Sequence, residues 1–231
     1  MFSRILIDLL AAALIAASFA YGFTGATAHE WLGLGACAAL FAHNALNLRR
    51  WAHPFAGTRK ARAAGTFALN VALAASLVAV AASGAMLSGE LFPFVPSGEG
   101  LFARKLHTAG AAWLFVLGAF HAGLHAAFFA GAAKKILRLR PRRVAGDVSA
   151  AFLKTAFPRA CLLALAAAVA LFGAFAFFRR SFPEKLLARE TFDAFAFDDA
   201  LPRFLADYAA VAALFFLLAA WCSRVRPGRK S

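Results

Sequence analysis

The sequence predicts an all-α, polytopic membrane protein built as a bundle of about six transmembrane helices. Hydrophobic residues make up 62% of its 231 residues and charged residues only 16%, whereas soluble domains are about 45–50% apolar and about 25% charged. The apolar residues are gathered in runs of about 20, the length that a helix needs to cross about 30 Å of hydrocarbon. Most charged residues lie between these runs, as in membrane proteins.

Six apolar runs follow one another along the chain. The first, 4–22, begins after Arg4 and contains the small-residue stretch "ASFA", which also fits a signal peptide. It continues through Phe19, Tyr21 and Phe23, which favours a retained helix. The other five runs are 29–48, 65–87, 105–130, 158–178 and 204–222.

The Lys and Arg residues are distributed unevenly between the two sides of these runs. With the amino terminus inside, 18 of the 25 fall on the cytoplasmic side and 7 outside. Because cytoplasmic loops of membrane proteins carry an excess of Lys and Arg, both termini are predicted to be cytoplasmic. The net charge of +14 is then explained by basic membrane flanks, and no nucleic-acid-binding motif is present.

Four histidines form two pairs with the same spacing. His29 and His43 lie 14 residues apart on the second run, and His107 and His121 lie 14 residues apart on the fourth. In a helix, 14 steps return to within about 40° of the starting direction and rise about 21 Å. Both helices are predicted to run from outside to inside. His29 and His107 therefore share an outer depth, and His43 and His121 share an inner depth.

Two imidazoles that face each other across a gap between helices can ligate one haem iron from both sides. No Asp, Glu or Cys is expected at matching depth near the histidines, which disfavours a zinc or di-iron carboxylate site. Glycines on the same two helices are expected to leave space for a macrocycle: Gly33, Gly35, Gly110 and Gly118. The pattern predicts two b-type haems in a four-helix, cytochrome b-like core, with a structural or proton-relay role as the alternative. The predicted ligands are His29, His43, His107 and His121.

Covalent haem attachment and thiol redox chemistry are not indicated. The three cysteines are far apart and form neither a C-x-x-C nor a C-x-x-C-H motif. The haem core is predicted to span 1–131, followed by a basic cytoplasmic loop at 132–157 and by two further helices in 158–231. Within the last part, 179–203 mixes charged residues with phenylalanines and is predicted to form an amphipathic helix on the outer surface.

The first four runs resemble a known family. Three strings in the expected order are similar to the flavinylation-associated cytochromes, a widespread prokaryotic group of small membrane proteins: "TGATAHEWLGLGACAALFAHNALNLRRW", "ASGAMLSGELFPF" and "KLHTAGAAWLFVLGAFHAGLHAAF". The resemblance covers about residues 1–131. It implies a di-haem b-type electron carrier of the cytoplasmic (inner) membrane of a prokaryote, often working with extracytoplasmic proteins that bear covalent FMN.

The resemblance carries the ligand roles onto the same four histidines and includes His125 in the motif. His125 can contact a propionate, line a quinone site or replace His121 as the inner ligand, and these alternatives stay open. Haem propionates need cationic partners. Arg104 and Lys105 precede His107, and Arg49 and Arg50 follow His43. These four residues are propionate candidates, with topology-setting charge as the alternative.

The predicted function is one-electron transfer across the bilayer. The donor is expected to be a quinol or another cytoplasmic-side reductant, and the acceptor an extracytoplasmic flavinylated protein. The chain is expected to be an electron-transfer subunit, with quinol oxidation or reduction as a further option, rather than a stand-alone enzyme. The alternatives are a histidine-relay transporter or proton channel, and a structural membrane anchor of a redox complex.

Overall fold

A computed structural model describes residues 2–52, 60–95, 100–136, 156–189 and 200–224. Within these ranges the chain forms nine helices and no strand, which confirms the all-α prediction for this part of the chain. The helices are α1 Phe2–Ser18, α2 Tyr21–Leu46, α3 Leu48–Ala52, α4 Lys60–Leu87, α5 Leu101–Leu124, α6 Ala126–Ile136, α7 Ala156–Arg179, α8 Phe182–Leu186 and α9 Leu201–Arg224.

Three of the described helices are long and apolar enough to cross a membrane. Their qualifying segments are Ala63–Leu87 in α4, Cys161–Arg179 in α7 and Leu201–Ser223 in α9. Helices α1, α2 and α5 overlap the other three predicted runs but do not meet the same criterion. The first run was placed too far along the chain, because α1 ends at Ser18 and α2 begins at Tyr21 rather than at 29. Helix α1 has only 17 residues, and α2 and α5 carry the histidines and other polar residues, which lower their apolarity.

Large apolar side chains remain exposed along these helices. Phe41 of α2 and Leu163 and Leu171 of α7 are 75%, 71% and 73% exposed, and Val78 of α4 is 67% exposed. Soluble proteins rarely expose extended apolar surfaces of this kind. The exposed side chains, together with the three apolar helices, indicate a multi-pass membrane protein.

Helices α1 and α2 pack as an antiparallel pair. Gly25, with φ 79° and ψ 174°, interrupts α2 near its start, a backbone conformation that favours glycine. Further along α2, a Cβ added at Gly35 would lie 3.5 Å from Leu14 Cδ1. The two helices therefore approach closely, and groups of α1 come within reach of the α2 histidines.

The fourth predicted run is two helices rather than one, because it is interrupted at His125. The backbone N–H of His125 donates to the carbonyl of Ala122 at 3.0 Å, the tighter i→i−3 pattern of a 3₁₀ turn. The His125 carbonyl then accepts hydrogen bonds from the N–H groups of Phe128 at 2.9 Å and Phe129 at 3.3 Å. These bonds belong to the first turn of α6, which begins at Ala126. His125 thus occupies the junction between α5 and α6.

The chain divides into two compact units. The first comprises Met1–Gly118 and Ser181–Ala206, and the second comprises Ala119–Arg180 and Asp207–Ser231. The boundaries predicted from the sequence, at 131/132 and 157/158, stay predictions, and residues 137–155 of the basic loop lie outside the described residues.

In the second unit, α7 and α9 pack with their backbones in close approach. A Cβ added at Gly173 would lie 2.3 Å from the Ala210 carbonyl oxygen. Near the same end of α7, the buried carboxylate of Asp207 accepts hydrogen bonds from Arg179 and from Arg180 Nε, the latter at 2.8 Å. Buried charges need such partners, so this ion cluster fixes the start of α9 against the end of α7.

The described part of the segment 179–203 contains the short helix α8, which packs within the first unit. Phe182 is fully buried, and its ring centroid lies 5.7 Å from that of Phe115. Trp113 Nε1 donates to the Leu186 carbonyl at 3.0 Å. Residues 190–199, which hold the remaining phenylalanines of the predicted amphipathic helix, lie outside the described residues.

Candidate functional site

His29 of α2 and His107 of α5 lie next to each other in the first unit, in an edge-to-face arrangement. Their ring centroids are 5.9 Å apart, and their ring planes meet at 68°. A metal bridging two imidazoles places the centroids about 6 Å apart, because each metal–nitrogen bond is about 2 Å long. The pair His29 and His107 expected from the 14-residue spacing is therefore brought together, at a centroid separation comparable to that of two imidazoles on one metal.

The Nδ1 atom of each of these rings has an oxygen partner. His29 Nδ1 lies 2.8 Å from the Ser18 carbonyl oxygen, which can only accept, so this nitrogen carries the proton. His107 Nδ1 lies 3.2 Å from Ser83 Oγ, and that hydroxyl donates to the Ala79 carbonyl at 2.6 Å. Ligating histidines characteristically donate the second ring N–H in this way, which leaves Nε2 available to the metal.

The space expected beside the histidines is present at two of the four glycines. A Cβ added at Gly33 or Gly118 would have no atom within 4 Å, other than the helix's own backbone. A Cβ added at Gly35 would contact the Leu14 side chain, and a Cβ added at Gly110 would lie 3.0 Å from Val80 Cγ2. The expectation is wrong for Gly35 and Gly110, because α1 and α4 pack against these glycines.

Helix α4 packs closely against the His107 ring at Gly84. A Cβ added at Gly84 would lie 3.3 Å from His107 Cε1, tighter than most contacts of this kind. The adjacent Ser83 is fully buried and supplies the hydroxyl partner of the ring. The Ser-Gly pair of α4 therefore holds His107 by one hydrogen bond and one close packing contact.

His43 has a carboxylate partner. Its Nδ1 lies 2.6 Å from Asp8 Oδ1 of α1, and the two side chains are 31% and 26% exposed. The prediction that no carboxylate lies at matching depth near the histidines is wrong, because the antiparallel packing of α1 brings residue 8 opposite residue 43. The sequence held a partial signal, because the gap between the runs 4–22 and 29–48 centres the reversal of the chain near residue 25, from which positions 8 and 43 are about equally distant.

Glu30 is a second carboxylate that the prediction overlooked, next to His29 in the chain. It accepts hydrogen bonds from Ser88 Oγ at 2.6 Å and from the backbone N–H groups of Gly89 at 3.0 Å and Leu91 at 3.1 Å. Glu30 therefore fastens α2, close to His29, to the turn that follows α4.

His121 and His125 lie close together in the second unit. Their ring centroids are 4.9 Å apart, and the ring planes are inclined at 60°. His43 belongs to the first unit. The pairing of His43 with His121 therefore stays a prediction, as does the alternative in which His125 takes the place of His121.

The candidate propionate partners lie at helix ends. Arg104, in the first turn of α5 and three residues before His107, is exposed, and Lys105 is half-buried. Arg49 of α3 is exposed, while the side chain of Arg50 lies outside the described part of the chain. Residues three apart share a helix face, so Arg104 is on the side of α5 that carries His107. The propionate roles stay predictions.

An apolar groove of about 640 Å³ runs along α4 in the first unit, within the range of about 300–1,000 Å³ typical of ligand pockets. Trp51 stands at one end, where its Nε1 donates to Asn44 Oδ1 at 3.2 Å. The groove is lined by Trp51, Val71, Ala74, Ala75, Val78, Ala79, Ala82 and Leu106. Ala82 and Leu106 directly precede Ser83 and His107 in the chain, so one end of the groove lies beside the outer histidine pair.

Among the described residues, no group of three or more His, Cys, Asp or Glu side chains is arranged to hold a metal ion. Zinc and di-iron carboxylate sites need three or more such ligands, so the described part of the chain does not provide one. A haem iron takes its equatorial ligands from the porphyrin and needs only two from the protein. The adjacent pair of histidines fits that requirement.

Comparison of the chain with protein-family models, with curated proteins and with solved structures finds no match. Its functional interpretation therefore depends on the arrangement of its own residues.

Proposed function

We propose that the protein is a membrane-embedded, di-haem b-type cytochrome that carries single electrons across the bilayer. The observation that carries this proposal is the adjacent pair His29 and His107, with ring centroids 5.9 Å apart. Each Nδ1 is occupied by an oxygen of another helix, Ser18 of α1 or Ser83 of α4. These contacts do not use either Nε2 atom, so the two Nε2 atoms are the proposed ligands of one iron.

The second haem is proposed on the repeated spacing. His43 and His121 stand 14 residues beyond His29 and His107, so they continue the same helix faces about 21 Å further along the axes. The hydrogen bond from His43 Nδ1 to Asp8 supports a ligand role, because it also leaves Nε2 available. His125, one turn beyond His121, is the alternative inner ligand.

A haem supplies one-electron redox chemistry when it is bound. The chain's own tasks are to orient the imidazoles, to exclude water and to balance charge. Ser18 and Ser83 fix the ring tautomers, and the Tyr21 ring packs edge-on against His29, with centroids 5.2 Å apart. Arg104 and Lys105, in the first turn of α5, are proposed to pair with the outer propionates.

The proposed membrane-spanning bundle has six helices, of which three are the apolar helices described above. We propose that α1, α2 and α5 span the bilayer together with α4, α7 and α9, with both termini in the cytoplasm of a prokaryote. The resemblance of residues 1–131 to flavinylation-associated cytochromes supports a quinol or cytoplasmic-side donor and an extracytoplasmic FMN-bearing acceptor. The chain is then an electron-transfer subunit.

The test is the haem content of the purified protein and of two histidine variants. The wild-type protein is expected to show b-type α bands on dithionite reduction and two haems per chain in a pyridine haemochrome assay. His29→Ala and His107→Ala should each lose about half of the haem, because each removes one axial ligand of the same iron.

His53→Ala is the matched control, since it removes a histidine outside both spaced pairs and should keep both haems. A colourless wild-type protein, or an unchanged haem content in both ligand variants, would contradict the proposal.

A proton-conducting membrane protein is the second candidate. The Asp8–His43 contact at 2.6 Å and the closeness of His121 and His125 favour it, because intramembrane carboxylates and histidines form proton relays. This candidate predicts a colourless protein that acidifies liposomes down a proton gradient. The visible spectrum therefore separates the two candidates in one measurement.

A further inference from the structure

The proposed axial ligands differ in the group that receives their Nδ1–H. His29 meets a backbone carbonyl at 2.8 Å and His107 meets a hydroxyl at 3.2 Å, both neutral groups. His43 meets the carboxylate of Asp8 at 2.6 Å. This short distance is typical of a charge-assisted hydrogen bond. The three ligands are therefore not equivalent, although the spacing that predicts them is the same.

A carboxylate partner changes the electronic character of a ligating imidazole. It draws the Nδ1 proton towards itself and makes Nε2 a stronger donor to the metal. A more basic axial ligand and a nearby negative charge both stabilise the ferric state relative to the ferrous state, which lowers the reduction potential. A carbonyl or hydroxyl partner has a weaker effect, because it carries no net charge.

We propose that Asp8 is a positioning residue that lowers the midpoint potential of the haem held by His43 below that of the haem held by His29 and His107. This inference rests on the proposed function. The step it biases is the transfer of one electron from the reduced iron at His43 to the oxidised iron at His29 and His107, with no bond made or broken. A quinol or cytoplasmic reductant supplies the electron, and an extracytoplasmic flavin removes it.

The consequence is a direction of electron flow. Electrons move spontaneously from the lower potential to the higher one, so the haem at His43 passes them outward. The carboxylate on α1 thus favours export of electrons from the cytoplasmic side. Without this carboxylate, the difference in midpoint potential between the two proposed haem sites would depend on the weaker effects of neutral hydrogen-bond partners.

Asp8 can be changed without removing the other contacts of α1. Leu14 packs on Gly35, and the Ser18 carbonyl holds His29, so α1 is held on α2 independently of residue 8. Asp8→Asn keeps the shape of the side chain and an oxygen that can accept the Nδ1–H of His43. It removes only the charge.

The experiment is redox potentiometry of the α bands of the full-length protein in detergent, for the wild type and Asp8→Asn. Both proteins should bind two haems. In Asp8→Asn the lower midpoint potential should rise and the higher one should stay, changing the equilibrium constant between the haems by about tenfold, or about 59 mV for a one-electron couple.

Two further variants test specificity. Asp8→Glu keeps the charge and should restore a potential close to that of the wild type. Ser83→Ala should affect the higher potential and leave the lower one unchanged, because Ser83 contacts His107. Unmoved potentials in an Asp8→Asn protein that holds two haems would overturn the inference and leave the proposed function standing. A wild-type protein without haem would overturn the proposed function itself.

Single-ligand variants keep the inference testable if Asp8→Asn does not fold. His43→Ala should remove the lower-potential haem, and His29→Ala the higher-potential one. The reverse assignment would overturn the inference.

Discussion

At the residue scale, the buried hydroxyl of Ser83 links a backbone carbonyl of α4 to the ring of His107 by two hydrogen bonds. It is fully buried and donates to the Ala79 carbonyl at 2.6 Å, while its oxygen accepts from His107 Nδ1 at 3.2 Å. The hydroxyl also lies 3.2 Å from the Val80 carbonyl oxygen, a second acceptor on the same helix. His107 therefore has its tautomer and ring orientation fixed by α4.

Ser83→Ala should weaken haem binding at the outer pair. The variant leaves His107 Nδ1 without its hydroxyl acceptor, and loss of such an outer partner costs about 10–100-fold in metal affinity. The measurement is haem retained after dilution in detergent with excess apo-myoglobin as acceptor.

Ser76→Ala is the matched control for this measurement. Ser76 lies on the same helix as Ser83, and its hydroxyl donates to the Ala72 carbonyl of that helix at 2.9 Å. It should retain haem like the wild type. Equal retention by both variants would show that the hydroxyl of Ser83 does not support the ligand.

At the element scale, the contact between α1 and α2 explains what the sequence could and could not predict. The positions of the helices follow from the length of the apolar runs, and the meeting of His29 with His107 was predicted from the 14-residue spacing together with the parallel course of the two helices. The pairing of Asp8 with His43 depends on the register between two helices. That register is visible only in the succession of contacts Ser18–His29, Leu14–Gly35 and Asp8–His43.

Local breaks in the helices are a second feature that the hydropathy pattern does not predict. Hydropathy averages over a turn or more, so it cannot locate a single residue at which the hydrogen-bond pattern changes. Gly25 in α2 and His125 between α5 and α6 are such residues. The break at His125 bears on the proposed function, because it sets the orientation of the histidine that is the alternative to His121 as the proposed inner ligand.

The packing of α7 on α9 gives a prediction about stability. In Gly173→Ala the new Cβ would lie 2.3 Å from the Ala210 carbonyl oxygen, closer than real contacts allow. The two backbones must separate, and overpacking of this kind costs about 1–3 kcal/mol. The variant should unfold at a lower temperature than the wild type when helical circular dichroism is followed in detergent.

Gly131→Ala in α6 provides the control for this substitution. No atom other than the helix's own backbone lies within 4 Å of the added Cβ, and alanine is the better helix former. The control should unfold at or slightly above the temperature of the wild type. A Gly173→Ala protein as stable as the control would show that the two backbones are not in close approach.

At the scale of the whole molecule, the distribution of positive charge predicts which of the two proposed haem sites faces which compartment. Of the 25 Lys and Arg residues, 18 lie on the side assigned to the cytoplasm, and such a bias sets the orientation of membrane proteins. The outward direction of electron flow proposed above depends on this orientation, because it places His29 near the outer surface and His43 near the cytoplasm.

Reporter fusions in a bacterial host test the orientation. Green fluorescent protein fused after Ser231 should fluoresce, because it folds in the cytoplasm, and alkaline phosphatase at the same position should be inactive. Alkaline phosphatase inserted after Phe94, an exposed residue in the turn that follows α4, should be active, because it needs the periplasm to form its disulfides. Active phosphatase at Ser231 together with inactive phosphatase at Phe94 would invert the topology. The carboxylate-linked His43 would then face outward, and the potential difference that Asp8 creates would drive electrons inward instead.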